Sequence, residues 1–333
     1  MSAEQGKTKT ITLLLSSAGR RVELLRHFRR DAEALGLDLR IVASDLQAPW
    51  SAACQDADAC HVVPRVDDPA FIEETLAICE RHGVDLVVPT IDPELLPLAT
   101  HKAAFVAGGT DVLVSSRDTA HTARDKLQTA RFFEKSDIPV PRSAEPAEVL
   151  AAPEAWTGPV ILKPRGGSSS IGLKRLPSVA ALAEENIPDG YVAQELLRGD
   201  EYTISLYFGP DGEPGCVIPH LRREVRSGEV SKGVTRRHDE LEAVSWKVGK
   251  ALAGARGPLC IQAIVTPEGR IGVFEVNARF GGGFPLAHAA GATFTRWILE
   301  ELAGLPSTVN NDWQADLAML RYDAAVFIED PKP

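Results

Sequence analysis

The first third of the chain alternates short aliphatic and β-branched runs with amphipathic helical patterns. The candidate strands are 11–15, 39–43, 61–63, 85–89 and 112–114, and residues 22–35 and 69–82 carry two of the helical patterns between them. Strands that alternate with helices pair in parallel, and they bind ligands at their carboxyl ends. Residues 1–115 are therefore predicted to form a doubly wound parallel-sheet domain.

The loops after these strands carry the first candidate ligand residues. A glycine turn at 16–21 and an acid at Asp45 would suit a dinucleotide, but the G-x-G-x-x-G fingerprint is absent, so a nicotinamide oxidoreductase is disfavoured. Asp92 and Glu94 follow the fourth strand, where a carboxylate could meet a substrate ammonium. Acids just before a helix are more often caps favoured by the helix dipole, and that alternative is slightly favoured for each acid alone.

Length and composition limit the classes of partner. The chain has 333 residues, 44% hydrophobic and 25% charged, which is the balance of a globular protein of two or three units with a sizeable core. Lys plus Arg total 36 against 46 Asp plus Glu, so the net charge is −10. This charge argues against a nucleic-acid or anionic-membrane surface as partner. Any bound phosphate must be held by a local site.

Targeting and redox signals are few. The apolar runs are only strand-sized, so no bilayer span is expected. The first ten residues lack the apolar region and cleavage site of a secretion signal, which favours a cytoplasmic location. The 5 cysteines, odd in number and without a C-x-x-C pair, argue against a disulfide framework or a thiolate zinc site.

The texture changes after residue 115. A small α+β segment is predicted over 116–190, and antiparallel alternation follows over 191–333. The candidate antiparallel strands are 191–196, 201–208, 216–221, 261–266 and 271–277, with a further strand or strand pair in the tail at 315–329. The chain is thus predicted to be α/β plus α+β, in three segments.

A Gly/Ser-rich loop follows a strand that ends at Lys163. Three glycines and three serines in 166–172 would let backbone N–H groups point at phosphate oxygens, with the lysine supplying charge. The loop is not a Walker A sequence, and a Gly/Ser-rich segment taken alone is more often a flexible hairpin.

A second motif lies in the last antiparallel strand. Because residues i and i+2 share a face of a strand, Glu275, Asn277 and Arg279 are predicted to project from one side, with Phe274 on the other. An acid and an amide oxygen suit Mg²⁺ that bridges polyphosphate oxygens, and Gln262 adds an oxygen if its strand pairs with this one. The alternative is an ordinary edge strand with a polar face.

Two weaker motifs complete the set. Residues 194–201 lead from one strand to the next through a glycine turn, where backbone groups could read an adenine edge and Glu201 could reach ribose hydroxyls. Asp125 and Lys126 stand at a helix start. Taken alone, the first motif is a plain hairpin and the second is solvated surface.

These motifs, in this order, resemble the ATP-grasp superfamily over residues 115–305. The doubly wound start is similar to the Rossmann-like domain that precedes ATP-grasp units, so 116–190 corresponds to the small or lid subdomain and 191–333 to the C-terminal subdomain. The whole chain resembles short, single-copy relatives of the large subunit of carbamoyl-phosphate synthase.

The resemblance implies a role for each matching residue. The family binds ATP with Mg²⁺, for which Mn²⁺ can substitute, and commonly has an acid at the position of Gln262. Arg279 would stabilise the transferring phosphoryl group. The nucleotide residues would be Lys126 and Lys163 on the α and β phosphates, Gly166, Gly167, Ser168, Ser169 and Ser170 over the β and γ phosphates, Gln194, Glu195 and Leu197 at adenine, and Glu201 at ribose. The metal ligands would be Gln262, Glu275 and Asn277.

A cationic segment at 222–234 stands out in this acidic chain. Arg223 and Lys232 could bind a substrate carboxylate or an acyl phosphate, whose charge must be neutralised during transfer. A solvated charged hairpin is about as plausible.

The implied reaction is carboxylate activation by ATP, followed by attack of an amine to give an amide. The substrates would be a small-molecule carboxylate and amine, with an amino acid as one of them, and a homodimer is expected from the family. Phosphoryl transfer rests on positioning and charge neutralisation, which agrees with the lack of a nucleophile triad. The alternatives are phosphorylation of carbamate or bicarbonate, and a nucleotide-binding regulatory module without turnover.

Overall fold

The computed structural model describes residues 10–167 and 171–329. Contacts divide the chain into two compact units. Of the described residues, the first unit comprises 10–115, Thr293–Asn310 and 323–329, and the second comprises 116–167, 171–292 and Asn311–Tyr322.

The described residues contain fifteen β-strands. They are β1 Thr10–Ser16, β2 Asp38–Asp45, β3 Ala59–Val62, β4 Leu86–Pro89, β5 Asp111–Val112, β6 Ser143–Ala144, β7 Val160–Pro164, β8 Lys174–Leu176, β9 Tyr191–Glu195, β10 Asp200–Phe208, β11 Pro214–Arg226, β12 Glu229–Thr235, β13 Gly257–Val265, β14 Ile271–Asn277 and β15 Ala318–Leu320.

The same residues contain eleven α-helices, none of them long and apolar enough to cross a membrane. They are α1 Val22–Leu35, α2 Ala52–Asp56, α3 Ala70–His82, α4 Asp92–Ala107, α5 Arg117–Arg124, α6 Lys126–Lys135, α7 Pro146–Ala151, α8 Val179–Ala183, α9 Asp239–Ala251, α10 Phe284–Ala289 and α11 Phe294–Ala303.

The first unit contains a five-stranded parallel sheet in the order β3–β2–β1–β4–β5. Leu13 of the central strand β1 pairs with Ile41 of β2 and with Leu86 of β4, and each of the three is 1% exposed. Burial of this kind is expected of a parallel sheet covered on both faces. The predicted parallel-sheet domain is confirmed, and its strand order reverses between β1 and β4.

Helix α11 belongs to the first unit, although its residues lie in the predicted segment 191–333. It packs against α1, and its Thr295 hydroxyl donates a hydrogen bond to Asp31 of that helix. Phe294, Trp297 and Ile298 of α11 are buried. These apolar residues form one face of an amphipathic helix. A segment late in the sequence therefore packs into the first unit.

The second unit holds two antiparallel sheets, the smaller in the order β6–β9–β7–β8. Strand β9 pairs with β7, with Ala193 opposite Leu162 and Val192 opposite Lys163. Leu162 and Ala193 share a core with Val160, which is also fully buried. The segment boundary predicted at 190/191 therefore falls inside this sheet, since β9 completes its core.

The larger sheet has six antiparallel strands in the order β14–β13–β10–β11–β12–β15. Gln262 lies opposite both Glu275 and Thr203, and Thr203 lies opposite His220. Because opposed residues project to the same side, these pairs give the sheet one strongly polar face. The strand expected in the tail is found as β15, which extends the sheet beside β12.

Candidate active site

A cavity of about 590 Å³ lies in the second unit, lined by residues of both antiparallel sheets. Sites for small organic molecules are typically roughly 300–1,000 Å³. The charged residues in its wall are Lys126, Lys163, Arg175, Glu195, Arg198, Glu201, Arg222 and Glu275.

Lys163 is a deeply buried cation of this wall. Lys163 follows the apolar run of β7 and is 6% exposed. Its Nζ donates a hydrogen bond of 2.8 Å to Oε1 of Gln194 and lies 5.2 Å from the centre of the Phe274 ring. Burial lowers the pKa of Lys163 from 10.5 to about 8, although Glu275 and Glu201 favour the charged form. The ammonium group therefore sits where a bound anion would stabilise it.

Lys126 reaches the cavity from the start of α6. Asp125 caps this helix by accepting hydrogen bonds from the backbone N–H groups of Leu127 and Gln128, and it pairs with Arg165 at 2.7 Å. Burial disfavours the charged form of Asp125, but the hydrogen bonds from Arg165 and the backbone outweigh it and lower its pKa. Lys126, 9% exposed, donates to the carbonyl of Gly167. It is a lining residue rather than solvated surface.

Two glycines of the Gly/Ser loop lie at or beside the cavity. Gly167 lines the cavity, and Gly166 lies beside it, against Arg124. Ser168, Ser169 and Ser170 lie outside the described residues.

The candidate adenine residues lie at the end of β9 and just after it. Gln194 is buried between Lys163 and the Ser143 hydroxyl, to which its Nε2 donates at 2.7 Å. Hydrogen bonds from Arg270, of 2.5 and 2.7 Å, hold the pKa of Glu195 below its usual value. Leu197 is 7% exposed and lines the cavity. The structure thus brings all three to the cavity, with the Glu195 carboxylate bound to a neighbouring arginine.

Glu201 lines the cavity from β10 and pairs with Arg222 of β11 at 2.7 Å. The cations of this region that the sequence predicts to bind a carboxylate or an acyl phosphate are Arg223 and Lys232. Arg223 is exposed, and Lys232 is ion-paired at the surface with Glu224, so neither contributes to the described cavity wall. Leu221 projects to the side opposite Arg222, and the pairing of β11 with β12 shifts register between Arg222 and Glu224, which places Arg223 in a β-bulge.

The three candidate metal ligands lie on adjacent strands. Gln262 and Glu275 face each other across β13 and β14, and both line the cavity. Asn277, two residues further along, is 6% exposed, and its Oδ1 accepts a hydrogen bond of 3.4 Å from Arg279. One carboxylate and two amide oxygens fit Mg²⁺, which takes a few protein oxygens and leaves its other positions to phosphate and water.

Phe274 departs from the predicted alternation. The register shifts between Gln262 and Ala263, which lie opposite Glu275 and Val273. This β-bulge leaves Phe274 between the paired residues, and Phe274 and Glu275 both line the cavity. Alternation in the sequence alone places the Phe274 ring on the opposite face. Its position in the cavity wall could not be predicted without knowing the strand register.

The acids predicted for substrate ammonium lie in the first unit. Glu94 is fully buried and accepts hydrogen bonds from the hydroxyls of Ser16 and Ser17, at 2.6 and 2.8 Å, and from the N–H groups of Thr90 and Ile91. Burial raises its pKa. Four donors surround this carboxylate, which supports a structural role at the helix start for Glu94 rather than binding of a substrate ammonium. Asp92 begins α4 at a half-buried position.

Two family models match the chain. Residues 13–113 match the model described as "PylC-like, N-terminal domain", and residues 123–283 match the model described as "ATP-grasp domain". The chain therefore contains an ATP-grasp domain and a PylC-like N-terminal domain, and the predicted resemblance to this superfamily is confirmed.

The similar proteins include two named D-alanine–D-alanine ligase. The one from Marinobacter nauticus is 29% identical over 176 residues, covering 50% of this chain and 49% of that protein. The one from Stutzerimonas stutzeri is 28% identical over 203 residues, covering 54% of this chain and 64% of that protein. The chain thus spans about half to just under two thirds of these relatives.

A solved structure shares the fold over most of the chain. It is the biotin carboxylase domain of 2-oxoglutarate carboxylase from Hydrogenobacter thermophilus, in complex with MgADP, ADP and bicarbonate. The TM-score is 0.73 at 15% identity, and the match covers 92% of this chain and 73% of that one.

Proposed function

We propose that this protein is an ATP-dependent carboxylate–amine ligase that forms an amide through an acyl phosphate. The observation that carries the proposal is the joint placement of Lys126, Lys163, Gln262 and Glu275 in the wall of one cavity. Two cations and a pair of hard oxygen ligands are what Mg·ATP and a transferring phosphoryl group need in a common site.

In this proposal the second unit holds the nucleotide. Lys126 and Lys163 bind the α and β phosphates, and the loop beginning at Gly166 covers the β and γ phosphates. Gln194 and Glu195 at the end of β9, with Leu197 just after it, hold adenine. Gln262, Glu275 and Asn277 hold Mg²⁺, or Mn²⁺ in its place, which supplies neutralisation of the phosphate charge. Arg279, hydrogen-bonded to Asn277, contacts the transferring group.

An amino acid is proposed as one substrate. The support is the similarity to two proteins named D-alanine–D-alanine ligase. A homodimer is a further proposal that follows from the family, and a lid role for the small sheet and a cytoplasmic location are proposed as well. The proposed partners are a small-molecule carboxylate and amine, without nucleic acid or membrane.

The test is ADP release by the purified protein with Mg·ATP, alone, with bicarbonate plus ammonia, or with pools of amino acids. We expect stimulation by an amino-acid pool, abolished in Lys163→Ala and retained in the surface variant Lys174→Ala. Stimulation by bicarbonate plus ammonia alone would replace the proposal with carbamoyl-phosphate chemistry. Tight Mg·ATP binding without release under every condition would point to a regulatory nucleotide module.

A further inference from the structure

Glu201 and Arg222 are held together by the register of the larger sheet. Tyr202 lies directly opposite Leu221, and both side chains are buried, at 7% and 4% exposure. Their neighbours Glu201 and Arg222 therefore share the other face, where Nη1 of Arg222 meets Oε1 of Glu201 at 2.7 Å. The residue opposite Arg222 on β12 is Gly233, which adds no side chain beside the guanidinium.

The arginine of this pair is far more buried than the acid. The side chain of Arg222 is 6% exposed and that of Glu201 is 38% exposed. The Nε of Arg222 is buried without a hydrogen-bond partner among the described residues. Burying a guanidinium in this way is costly, so its retention in a cavity wall calls for a function beyond surface charge.

Arg222 also contacts the turn between β11 and β12. Its Nη2 donates to the carbonyl of Gly228 at 3.2 Å. The turn has two left-handed residues, Ser227 at φ 53° and Gly228 at φ 80°. Gly228 and Val225 line the cavity, so one guanidinium joins the turn to the acid.

We propose that Arg222 is a positioning residue for the nucleotide ribose. It grips Oε1 of Glu201, which leaves Oε2 to accept a hydrogen bond from a ribose hydroxyl, and it fixes the turn that covers this end of the cavity. The proposal rests on the nucleotide site of the proposed function. The cation of β11 to which we assign a function is therefore Arg222, whereas the sequence predicted Arg223.

The test is binding of Mg·ATP, Mg·2′-deoxy-ATP and Mg·3′-deoxy-ATP, measured by calorimetry on the full chain. We expect the wild type to prefer ATP over at least one deoxy analogue by roughly tenfold or more, since a charge-assisted hydrogen bond is lost. Arg222→Gln and Glu201→Gln should each bring this ratio to about one, and the double variant should lose no more. Arg222→Lys should restore part of the preference.

Arg236→Gln is the matched control, since Arg236 forms an exposed ion pair with Asp316 in the same unit. It should keep the wild-type ratio. If Arg222→Gln weakens ATP and both analogues equally, Arg222 is merely structural and the inference fails. If the wild type binds Mg·ATP without preferring it to either analogue, the inference also fails while the nucleotide site stands. If the wild type binds no Mg·ATP, both fail. Arg222→Lys carries the test if the glutamine variant does not fold.

Discussion

Acids at the strand ends of the first unit are hydrogen-bonded within the protein, whereas charged groups at the strand ends of the second unit line a cavity. In the first unit, Glu94 is surrounded by four hydrogen-bond donors, and Asp45 accepts from the N–H groups of Gly19 and Gln47. In the second unit, Lys163 and Glu275 face a cavity. Acids after parallel strands can therefore be structural, and cations in the wall of a cavity are better candidates for ligand binding.

The largest expected effect is on catalysis through Lys163. Lys163→Ala should reduce substrate-stimulated ADP release by about 100-fold or more, because the variant loses preorganised charge at the phosphates. The assay is steady-state ADP release, with circular dichroism as a check on folding. Near-normal release in a folded variant would remove this lysine from the chemistry.

The counterpart in the first unit is Glu94→Ala. Removing the carboxylate leaves two hydroxyls and two backbone N–H groups without their shared acceptor, and we expect a loss of about 2–4 kcal/mol in the free energy of unfolding. Denaturant unfolding measures the loss, and Mg·ATP binding to the folded variant should be unchanged. An unaffected midpoint together with weaker binding would reverse the roles assigned to the two units.

A pH dependence should distinguish the units further. With its pKa lowered to about 8, Lys163 is partly neutral above that pH, and bound phosphates should raise its pKa. Affinity for Mg·ATP should therefore fall by about tenfold per pH unit above 8, with proton uptake detectable by calorimetry in buffers of different ionisation enthalpy. Affinity that does not change between pH 7 and 9.5 would contradict a charged Lys163 at the phosphates.

The same lysine has an opposite effect on stability. Its folded pKa of about 8 lies below its usual 10.5, so the unfolded chain holds more protons between these values. The contribution of Lys163 to the free energy of unfolding should therefore rise with pH between about 8 and 10.5. Unfolding of Lys163→Met should lack this increment, whereas Lys174→Met should retain it.

The smallest effects should come from the exposed cations of β11 and β12. Arg223→Gln and Lys232→Ala should change ADP release by less than about twofold, because exposed ion pairs contribute little. A tenfold loss in either variant would restore the role that the sequence predicts for these residues.

Ordered motifs made much of the fold and site predictable. The alternating runs predicted the parallel sheet, and the recurrence of Lys126, Lys163, Glu195 and Glu275 in family order identified the ATP-grasp domain. These features depend on local patterns along the chain.

What could not be predicted depends on register and long-range packing. The bulge that leads Phe274 into the cavity wall and the choice of Arg222 over Arg223 are set by strand pairing. Similarly, a run such as Tyr191–Glu195 does not say which sheet it joins, and an amphipathic helix such as Phe294–Ala303 does not say which unit it covers.

The most direct test of the contrast between the units is hydrogen–deuterium exchange with and without Mg²⁺ and a non-hydrolysable ATP analogue. If the second unit holds the nucleotide, exchange should slow in residues 160–167, 191–201 and 271–279, with little change in residues 16–21 and 90–94. Protection confined to 16–21 and 90–94 would place the nucleotide in the first unit instead.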